Sequence, residues 1–481
     1  MKGSVEERRE KILNGNIIKI LLSLAWPVVI GSMMQTAYNL ADTFWLGRVS
    51  QQALAAPSAA FPLVMVLMAL GMGLATAGIS LVSQHTGSGG DKRANEAAGQ
   101  VFGLLFIISV IGGVIGFFSA GWVLSNVMTT PTEVFPLARN YIQIIFLGAP
   151  IMFSFISFRF ILRGTGDMKT PMYLRGVGVV LNMILDPLLI LGIGPFPPLG
   201  VSGAAIATVS TRGVASVVAI YLLFGGKLDI KLSLKDLKLK LRWVKKIFDI
   251  GLPSSAARVG SSIGFLGLVV LINRLSGPAG IPLSAYSVGR RVIQMVNLGI
   301  WGFASASMTM VGQNIGAKQK KRAEEIVKKT LMVSGILMTI ITVFIFLIRG
   351  SFVGIFLDKG SIENYQAVLD EASRFVAIFV ASIPFFGFFR IFDSTYRGTG
   401  HTKPAMALSL TRILGLRIGL SYILAFPVYG FGLDLGVLGI WLGMSLSNII
   451  IAFVSYLYFR TGKWKERTIE KEDETQNLAA G

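Results

Sequence analysis

The stretch RGTGDMK at positions 163–169 returns in the second half of the chain as RGTGHTK at 397–403. Matches at similar separations of 226 to 236 residues run along the chain: Pro27 with Pro253, Pro150 with Pro384, Gln84 with Gln313, Gly87 with Gly316, Lys92-Arg93-Ala94 with Lys321-Arg322-Ala323, Glu96 with Glu325, and Leu199-Gly200-Val201 with Leu435-Gly436-Val437. A unit this long is not a solenoid repeat, so the pattern predicts a duplicated domain.

The composition is that of a membrane protein. Of 481 residues, 53% are hydrophobic and 15% are charged, and the mean hydropathy is +0.66. Apolar runs long enough to cross a bilayer core of about 30 Å recur along the chain. They predict twelve spans, six per half: 17–46, 53–82, 97–124, 135–161, 172–194, 201–224, 247–273, 284–312, 324–349, 369–395, 405–427 and 434–459. The first run continues directly into the fold, so we interpret it as a retained helix rather than a signal peptide.

The net charge of +20 comes from basic residues that cluster in alternate loops. This distribution favours a topology signal over binding of a nucleic acid. Basic residues concentrate in the connections after spans 2, 4, 6, 8 and 10, and they are nearly absent after spans 3, 5 and 11. By the positive-inside rule, the even loops and both termini are cytoplasmic. We expect a multi-pass protein of the plasma (inner) membrane. Because each half has an even number of spans, the halves are parallel repeats.

These observations predict an all-α integral membrane fold with two pseudo-symmetric six-helix lobes. The expected organisation is a cytoplasmic N-terminal segment at 1–16, an N-lobe at 17–224, a basic cytoplasmic linker at 225–246, a C-lobe at 247–460, and a cytoplasmic tail at 461–481 that we expect to be disordered. The linker fits an amphipathic segment on the inner surface that also acts as a topology signal, and a lipid-binding role stays open.

The chain offers little for enzyme chemistry. It has no cysteine and only two histidines, His85 and His401, both in predicted cytoplasmic loops. A thiol nucleophile is excluded, and a histidine metal site or catalytic triad is not expected. We therefore expect a protein that is not an enzyme.

Charged residues within the spans are better candidates, because an unpaired charge in a membrane is costly and usually serves a pathway. Asp42 lies near the outer end of span 1 and Asp186 lies in span 5. Asn182 is four residues before Asp186 and hence on the same helix face, as Gln35 and Tyr38 are with Asp42. At about 1.5 Å per residue, Asp42, Asp186 and Thr208 of span 6 lie at a shared depth, roughly 8 to 13 Å from the outer side.

Such a set of oxygens has three interpretations. Asp42, Asn182, Asp186 and Thr208 could form an oxygen cage for Na⁺. The two carboxyls could equally form a buried pair that carries a proton. Alternatively, each acid pairs with a nearby amide or hydroxyl and holds helices together.

Four segments resemble the multidrug and toxic compound extrusion (MATE) transporters. They are the 38–48 stretch YNLADTFWLGR, Asn182-x-x-x-Asp186-Pro187, the 311–317 stretch VGQNIGA, and the paired Arg-Gly-Thr-Gly loops. The resemblance covers all twelve spans. It implies an antiporter of two six-helix lobes that expels organic, often cationic, compounds in exchange for Na⁺ or H⁺ by alternating access.

The resemblance also implies roles for single residues. Asp42, Asn182, Asp186 and Thr208 fall where the family builds its N-lobe cation site. Pro27 matches the proline at which helix 1 bends in some prokaryotic members, although a static packing kink is equally compatible with a proline in mid-helix. One branch of the family has an acid on helix 7 after its proline, and this chain has none there. We therefore expect coupling by the N-lobe alone.

The second half carries arginines instead of acids. Arg417 and Ser421 stand at the repeat positions of Asn182 and Asp186. Arg390 is expected to pair with Asp393, three residues away on the same face. The roles of Arg258, Arg412 and Arg417 stay open between lobe-stabilising pairs and an anion-binding surface.

The sequence therefore predicts a multidrug efflux antiporter for small organic compounds, with no cofactor apart from the coupling ion. We expect a monomer. The main alternative is a flippase of the same superfamily that moves a lipid-linked saccharide, for which basic cavity residues are expected. The choice between Na⁺ and H⁺ stays open, because both use carboxylates and hydroxyls. The paired Arg-Gly-Thr-Gly loops are expected to form tight turns with basic anchors.

Overall fold

The computed structural model describes residues 5–357, 364–427 and 432–466, and these are helical with no strand among them. Their α-helices are α1 Val5–Asn14, α2 Ile17–Gly47, α3 Gln51–Gly87, α4 Asp91–Trp122, α5 Phe135–Leu147, α6 Ala149–Thr165, α7 Lys169–Leu191, α8 Gly200–Phe224, α9 Leu241–Leu275, α10 Ile281–Gly316, α11 Lys320–Gly354, α12 Tyr365–Val380, α13 Ile383–Gly398, α14 Thr402–Leu410, α15 Gly419–Ala425 and α16 Val437–Arg460. The predicted tail lies mostly outside the described residues.

The predicted twelve membrane helices are confirmed. Within the described residues, nine helices are long and apolar enough to cross a membrane alone, and two further spans are bent pairs, α5 with α6 and α12 with α13. The remaining one is α10, which is 36 residues long and more polar. Two π-helical segments continue spans, Val123–Val127 after α4 and Thr411–Ile418 between α14 and α15.

Two of the predicted spans, 135–161 and 369–395, are each a pair of helices with a sharp bend between them. The axis turns by 53° between α5 and α6 and by 49° between α12 and α13. Proline explains both breaks, because Pro150 and Pro384 lie at the start of the second helix of each pair, where a missing N–H is tolerated but the preceding helix cannot continue. The bends occupy corresponding positions of the two repeats, so the duplication preserves them.

The chain forms two compact units. The first contains Met1–Gly15, Trp26–Ser255 and Gly316–Lys318, and the second contains Asn16–Ala25, Ala256–Ile315 and Gln319–Gly481. The divisions within α2 and α9 fall next to Pro27 and Pro253, which are equivalent in the repeat. We use N-lobe for α2–α8 and C-lobe for α9–α16.

The two Arg-Gly-Thr-Gly segments form tight turns, as predicted. Gly166 and Gly400 adopt positive φ angles of 88° and 82°, which favour glycine. The following backbone N–H groups, of Asp167 and His401, each donate to a carbonyl five residues back, at 2.9 and 2.7 Å. This pairing satisfies the last carbonyls of α6 and α13 in the same way.

Side chains and backbone hold the 225–246 segment against α4. Gln100 is fully buried, its side-chain amide donates to the carbonyls of Asp236 and Lys238, and its oxygen accepts from Lys240 N. A Cβ at Gly99 would lie 2.5 Å from the side chain of Asp236, so only glycine permits this approach. The segment is thus anchored to the first unit.

Candidate functional site

Helix α7 brings Asn182 and Asp186 together as its spacing predicts. Both side chains are fully buried. The Asn182 amide Nδ2 donates to Asp186 Oδ1 at 2.9 Å. One turn of helix separates the two residues, so this contact follows directly from their four-residue spacing.

Helix α2 adds Asp42 to the same cluster. Its carboxyl is partly buried and interacts with Asp186, with Arg212 and with Asn182. Within the described residues, three buried oxygens here lack a hydrogen-bond donor: Asp42 Oδ1, Asn182 Oδ1 and Asp186 Oδ2. Two facing carboxylates repel unless a proton or cation lies between them, and unfilled buried acceptors are costly. The cluster therefore fits a cation or a shared proton.

Thr208 pairs with the hydroxyl of Tyr38 and not directly with the acids, as a ligand in the predicted oxygen cage would. Its Oγ1 lies 2.5 Å from the hydroxyl of Tyr38, and both side chains are buried. Tyr38 in turn lies within electrostatic range of Asp42, Asp186 and Arg212. Thr208 is thus joined to the acids through Tyr38. Tyr141 of α5, which the sequence did not single out, also lies within electrostatic range of both acids.

The remaining predicted residues lie on α2 beside this cluster. Gln35 donates from its side-chain amide to Asn39 Oδ1 at 3.0 Å. Pro27 lies inside α2, which continues through it as a single helix. Four residues further on, the carbonyl of Gly31 accepts a hydrogen bond from Arg175 Nη1 at 2.8 Å.

A cavity of about 80 Å³ opens within the N-lobe next to the acids. Its apolar wall includes Met68, Met152, Phe155, Ile156 and Leu174. Its polar wall consists of Gln35, Tyr38, Thr211 and three arginines, Arg159, Arg175 and Arg212. Gln35 and Tyr38 therefore connect the cavity to the α2 face that carries Asp42.

None of these three arginines was predicted as a site residue, because only the acids of the N-lobe spans stood out as unpaired charges. The repeat itself contains the signal. At the shift of 234 residues that relates the two Arg-Gly-Thr-Gly turns, Arg159 corresponds to Asp393 and Arg175 to Ser409. A comparison of charges between the halves would have found Arg159.

The C-lobe is arranged around one buried acid. Arg390 Nη1 lies 3.0 Å from Asp393 Oδ2, which confirms the predicted pair, and Arg397 Nη2 lies 2.9 Å from Asp393 Oδ1. Ser409 Oγ donates to the same carboxylate at 3.4 Å, and Arg258 lies within electrostatic range of it. These contacts give the arginines of this region an internal counter-charge, because one buried carboxylate is shared between two guanidinium groups.

The arginines of the 411–418 segment also have partners within the C-lobe. Arg417 Nη2 donates to Asn448 Oδ1 at 2.9 Å, and Arg412 Nη1 donates to the same oxygen at 3.4 Å. Arg412 lies over the rings of Phe386 and Phe389. These contacts favour lobe-stabilising roles for both arginines.

Comparisons with known proteins agree with this architecture. The chain is 26% identical over 449 residues to the probable multidrug resistance protein YoeA of Bacillus subtilis, covering 92% of this chain and 94% of that protein. It is 24% identical to an FAD transporter of Shewanella oneidensis, covering 93% and 95%. A crystal structure of MATE in complex with MaL6 superposes with a TM-score of 0.85 at 25% identity, covering 97% of this chain and all of the other.

The family profile that matches this sequence is described as MatE. It matches twice, over residues 27–188 and 253–423, so that the matches begin at the equivalent prolines Pro27 and Pro253. The two matches span both lobes and contain Asp42, Asn182 and Asp186. The chain therefore belongs to the MatE family of multi-pass membrane transporters, which are not enzymes.

Proposed function

We propose that the protein is a secondary active antiporter that exports small organic compounds in exchange for Na⁺ or H⁺. In this proposal it acts as a monomer in the plasma membrane, with both termini in the cytoplasm. The coupling cation is held at Asp42, Asn182 and Asp186. The observation that carries the proposal is that each of these residues has a buried side-chain oxygen with no hydrogen-bond donor among the described residues.

The mechanism is alternating access driven by this site. With no cation, the two carboxylates repel and their buried charge is costly. A cation removes that cost and favours a state in which α2 is repacked around Pro27. Coupling requires the cation to bind one state more tightly than the other. Because Gln35 and Tyr38 line the cavity from α2, a bend at Pro27 alters the cavity that would hold substrate.

The arrangement favours a proton over sodium in this conformation. A proton needs only the two facing carboxyls. Sodium prefers several oxygen ligands, as hard cations do, and in this conformation the Thr208 hydroxyl pairs with Tyr38 rather than with the acids. The oxygens of the site nevertheless suit either ion once Thr208 is released.

The test is efflux from proteoliposomes loaded with a fluorescent organic cation or a fluorescent organic anion, under an imposed Na⁺ or H⁺ gradient. We expect one gradient to drive efflux of at least one dye, and Asp42→Asn and Asp186→Asn each to abolish that dependence. Asp370→Asn, at an exposed acid of α12, is the matched control and should transport normally. Gradient-driven efflux that survives both N-lobe substitutions would remove the coupling site from these acids.

The second candidate is a flippase for a lipid-linked saccharide, and the arginines of the N-lobe cavity favour it. The relatives' names include both multidrug resistance proteins and an FAD transporter, so they leave the charge of the transported compound open. Transbilayer movement of a fluorescent lipid-linked saccharide, measured without any ion gradient and unaffected by the two Asp→Asn variants, would favour the flippase.

A further inference from the structure

We propose that the N-lobe cavity binds the anionic group, a phosphate or a carboxylate, of an organic compound through Arg159, Arg175 and Arg212. The inference rests on the proposed transport function and names the substrate class of the same lobe. It differs from the cationic compounds that the sequence led us to expect.

The three guanidinium groups have few partners in the chain. Arg175 donates from Nη1 to the carbonyl of Gly31 at 2.8 Å, and Arg212 Nη1 lies 3.8 Å from the Met152 sulfur. Arg159 makes no hydrogen bond or ion pair to any described residue. No carboxylate in the described ranges comes within 4.0 Å of any of the three. Their donors are therefore largely available to a ligand.

The arginines also repel one another. Arg159 is repelled electrostatically by Arg175, Arg163 and Arg212. Arg175 is repelled by Arg163 and Arg212. Several partly buried cations in one cavity without a matching number of acids are unfavourable in a membrane protein, where such groups usually mark a pathway for a substrate or ion. An anion in the cavity would relieve this repulsion.

The nearby acids do not neutralise the cavity. Of the three cavity arginines, only Arg212 acts electrostatically on Asp42. The carboxyl of Asp186 accepts from Asn182 instead. The positive charges of Arg159 and Arg175 are therefore not balanced by any described acid of the N-lobe.

In the C-lobe, the same helix positions contain an internal counter-charge. There, Asp393 stands in place of Arg159 and Ser409 in place of Arg175, while an arginine is kept at 163 and 397. Asp393 accepts from Arg390, Arg397 and Ser409. The N-lobe lacks that internal anion and has an open cavity at the same place, so the missing negative charge fits an external group.

The size and lining of the cavity define the class of compound. Its volume of about 80 Å³ holds several water-sized groups and so admits a phosphate or carboxylate. The planar guanidinium donates two parallel hydrogen bonds to either group. Met68, Met152 and Phe155 supply an adaptable apolar wall for the rest of the molecule.

The experiment is equilibrium binding of phenyl phosphate to the purified full-length chain in nanodiscs of zwitterionic phosphatidylcholine, measured by titration calorimetry. Phenyltrimethylammonium, with the same ring and opposite charge, is the matched probe. We expect saturable phenyl phosphate binding that is at least about 10-fold tighter than binding of the cation. Arg159→Gln and Arg175→Gln should each weaken it by about 10-fold or more, since each substitution removes charge-assisted hydrogen bonds to the anion.

Two controls keep the result interpretable. Arg139→Gln removes an exposed arginine of the same lobe outside the cavity and should leave binding unchanged. Arg159→Lys keeps the charge and should retain more affinity than Arg159→Gln, provided that all variants show the same thermal unfolding midpoint or a higher one. Absence of saturable phenyl phosphate binding, tighter binding of the cation, or equal effects of Arg139→Gln and Arg159→Gln would overturn the proposal.

A further arm identifies the source of the anion. In nanodiscs that contain anionic phosphatidylglycerol, weaker apparent phenyl phosphate binding by both wild type and Arg139→Gln would assign the site to a lipid headgroup. Unchanged binding would assign it to a free organic anion. The assay measures binding by the wild type without any ion gradient, so saturable phenyl phosphate binding together with absent gradient-driven efflux would count against the proposed antiport alone.

Discussion

The second turn from the end of α6 and the same turn of α13 occupy equivalent positions in the repeat and carry opposite charges. Asp393 in the C-lobe accepts hydrogen bonds from three side chains and provides a counter-charge for two arginines. Arg159 in the N-lobe lines a cavity among other arginines. Duplication has preserved the helices, the bends and the turns, whereas the buried charge has reversed. The C-lobe arginines therefore share an internal counter-charge at this position, and the N-lobe position has none.

The largest effect is expected when the buried acid of the C-lobe is removed. In Asp393→Asn, the largely buried Arg390 and Arg397 lose their fully buried carboxylate, and removing one partner of a buried ion pair costs about 3–5 kcal/mol. We expect a large drop in the thermal unfolding midpoint. Unfolding is monitored by tryptophan fluorescence of the protein in detergent. Asp370→Asn, at an exposed acid, should change stability by less than about 0.5 kcal/mol. Similar midpoints for both variants would mean that Asp393 does not hold the C-lobe together.

The reverse experiment places an acid in the N-lobe at the position equivalent to Asp393. In Arg159→Asp, the new acid lies four residues before Arg163, as Asp393 does before Arg397. It removes one repelling cation and adds a counter-charge. We expect the ligand-free protein to become more stable by about 1–2 kcal/mol, together with loss of phenyl phosphate binding. Destabilisation with binding intact would show that the two positions are not equivalent.

A third test separates two roles of Thr208. If its hydroxyl acts through Tyr38, then Tyr38→Phe and Thr208→Val should each shift the ion concentration for half-maximal transport by an amount equivalent to about 1 kcal/mol. The double variant should then shift it no further, because the two changes break one contact. Additive shifts would assign Thr208 a direct contact with the ion. The equivalent of Thr208 in the C-lobe is Met444, which has no hydroxyl, so the contact is particular to the N-lobe.

Much of the fold and part of the site could be predicted from the sequence, because both depend on periodic patterns. Span lengths, the repeat and the four-residue spacing of Asn182 and Asp186 follow from helix geometry alone. The equivalent prolines Pro150 and Pro384 mark the two bends, although the predicted spans ran straight through them. These features require no knowledge of which side chains meet across helices.

The rest depends on contacts between helices, which spacing does not determine. Thr208 and Asp42 share a depth in the sequence analysis, yet Tyr38 takes the hydroxyl of Thr208. The cavity was not foreseen because Arg159, Arg175 and Arg212 come from three different helices. Their meeting is a property of packing, and only the charge reversal at Arg159 is visible in the sequence.

The smallest expected effect concerns the turns that follow α6 and α13, where Asp167 is matched by His401. Only the first turn has an acid, and there Arg8 of α1 lies 3.5 Å from Asp167 and also pairs with Asp229 of the 225–240 segment. Burial raises the pKa of Asp229 above its ordinary value, and Arg8 opposes that shift. A raised folded pKa means that the contribution of Asp229 to stability is complete below its unfolded value of about 3.9 and is lost as the pH rises through the folded value.

We therefore expect Asp229→Asn to be at least as stable as wild type at pH 7, with a difference below about 1 kcal/mol because Arg8 is partly exposed. Arg8→Ala should be less stable than both, since it removes the cation that opposes the shift and leaves the Asp229 carboxylate buried without its partner. The measurement is the thermal unfolding midpoint of the three proteins between pH 4 and pH 7. Wild type should lose stability relative to Asp229→Asn as the pH rises. If Asp229→Asn were the less stable protein at pH 7, the ion pair would outweigh the burial of the carboxylate, and α1 would be held to the N-lobe by a net attraction to Asp229.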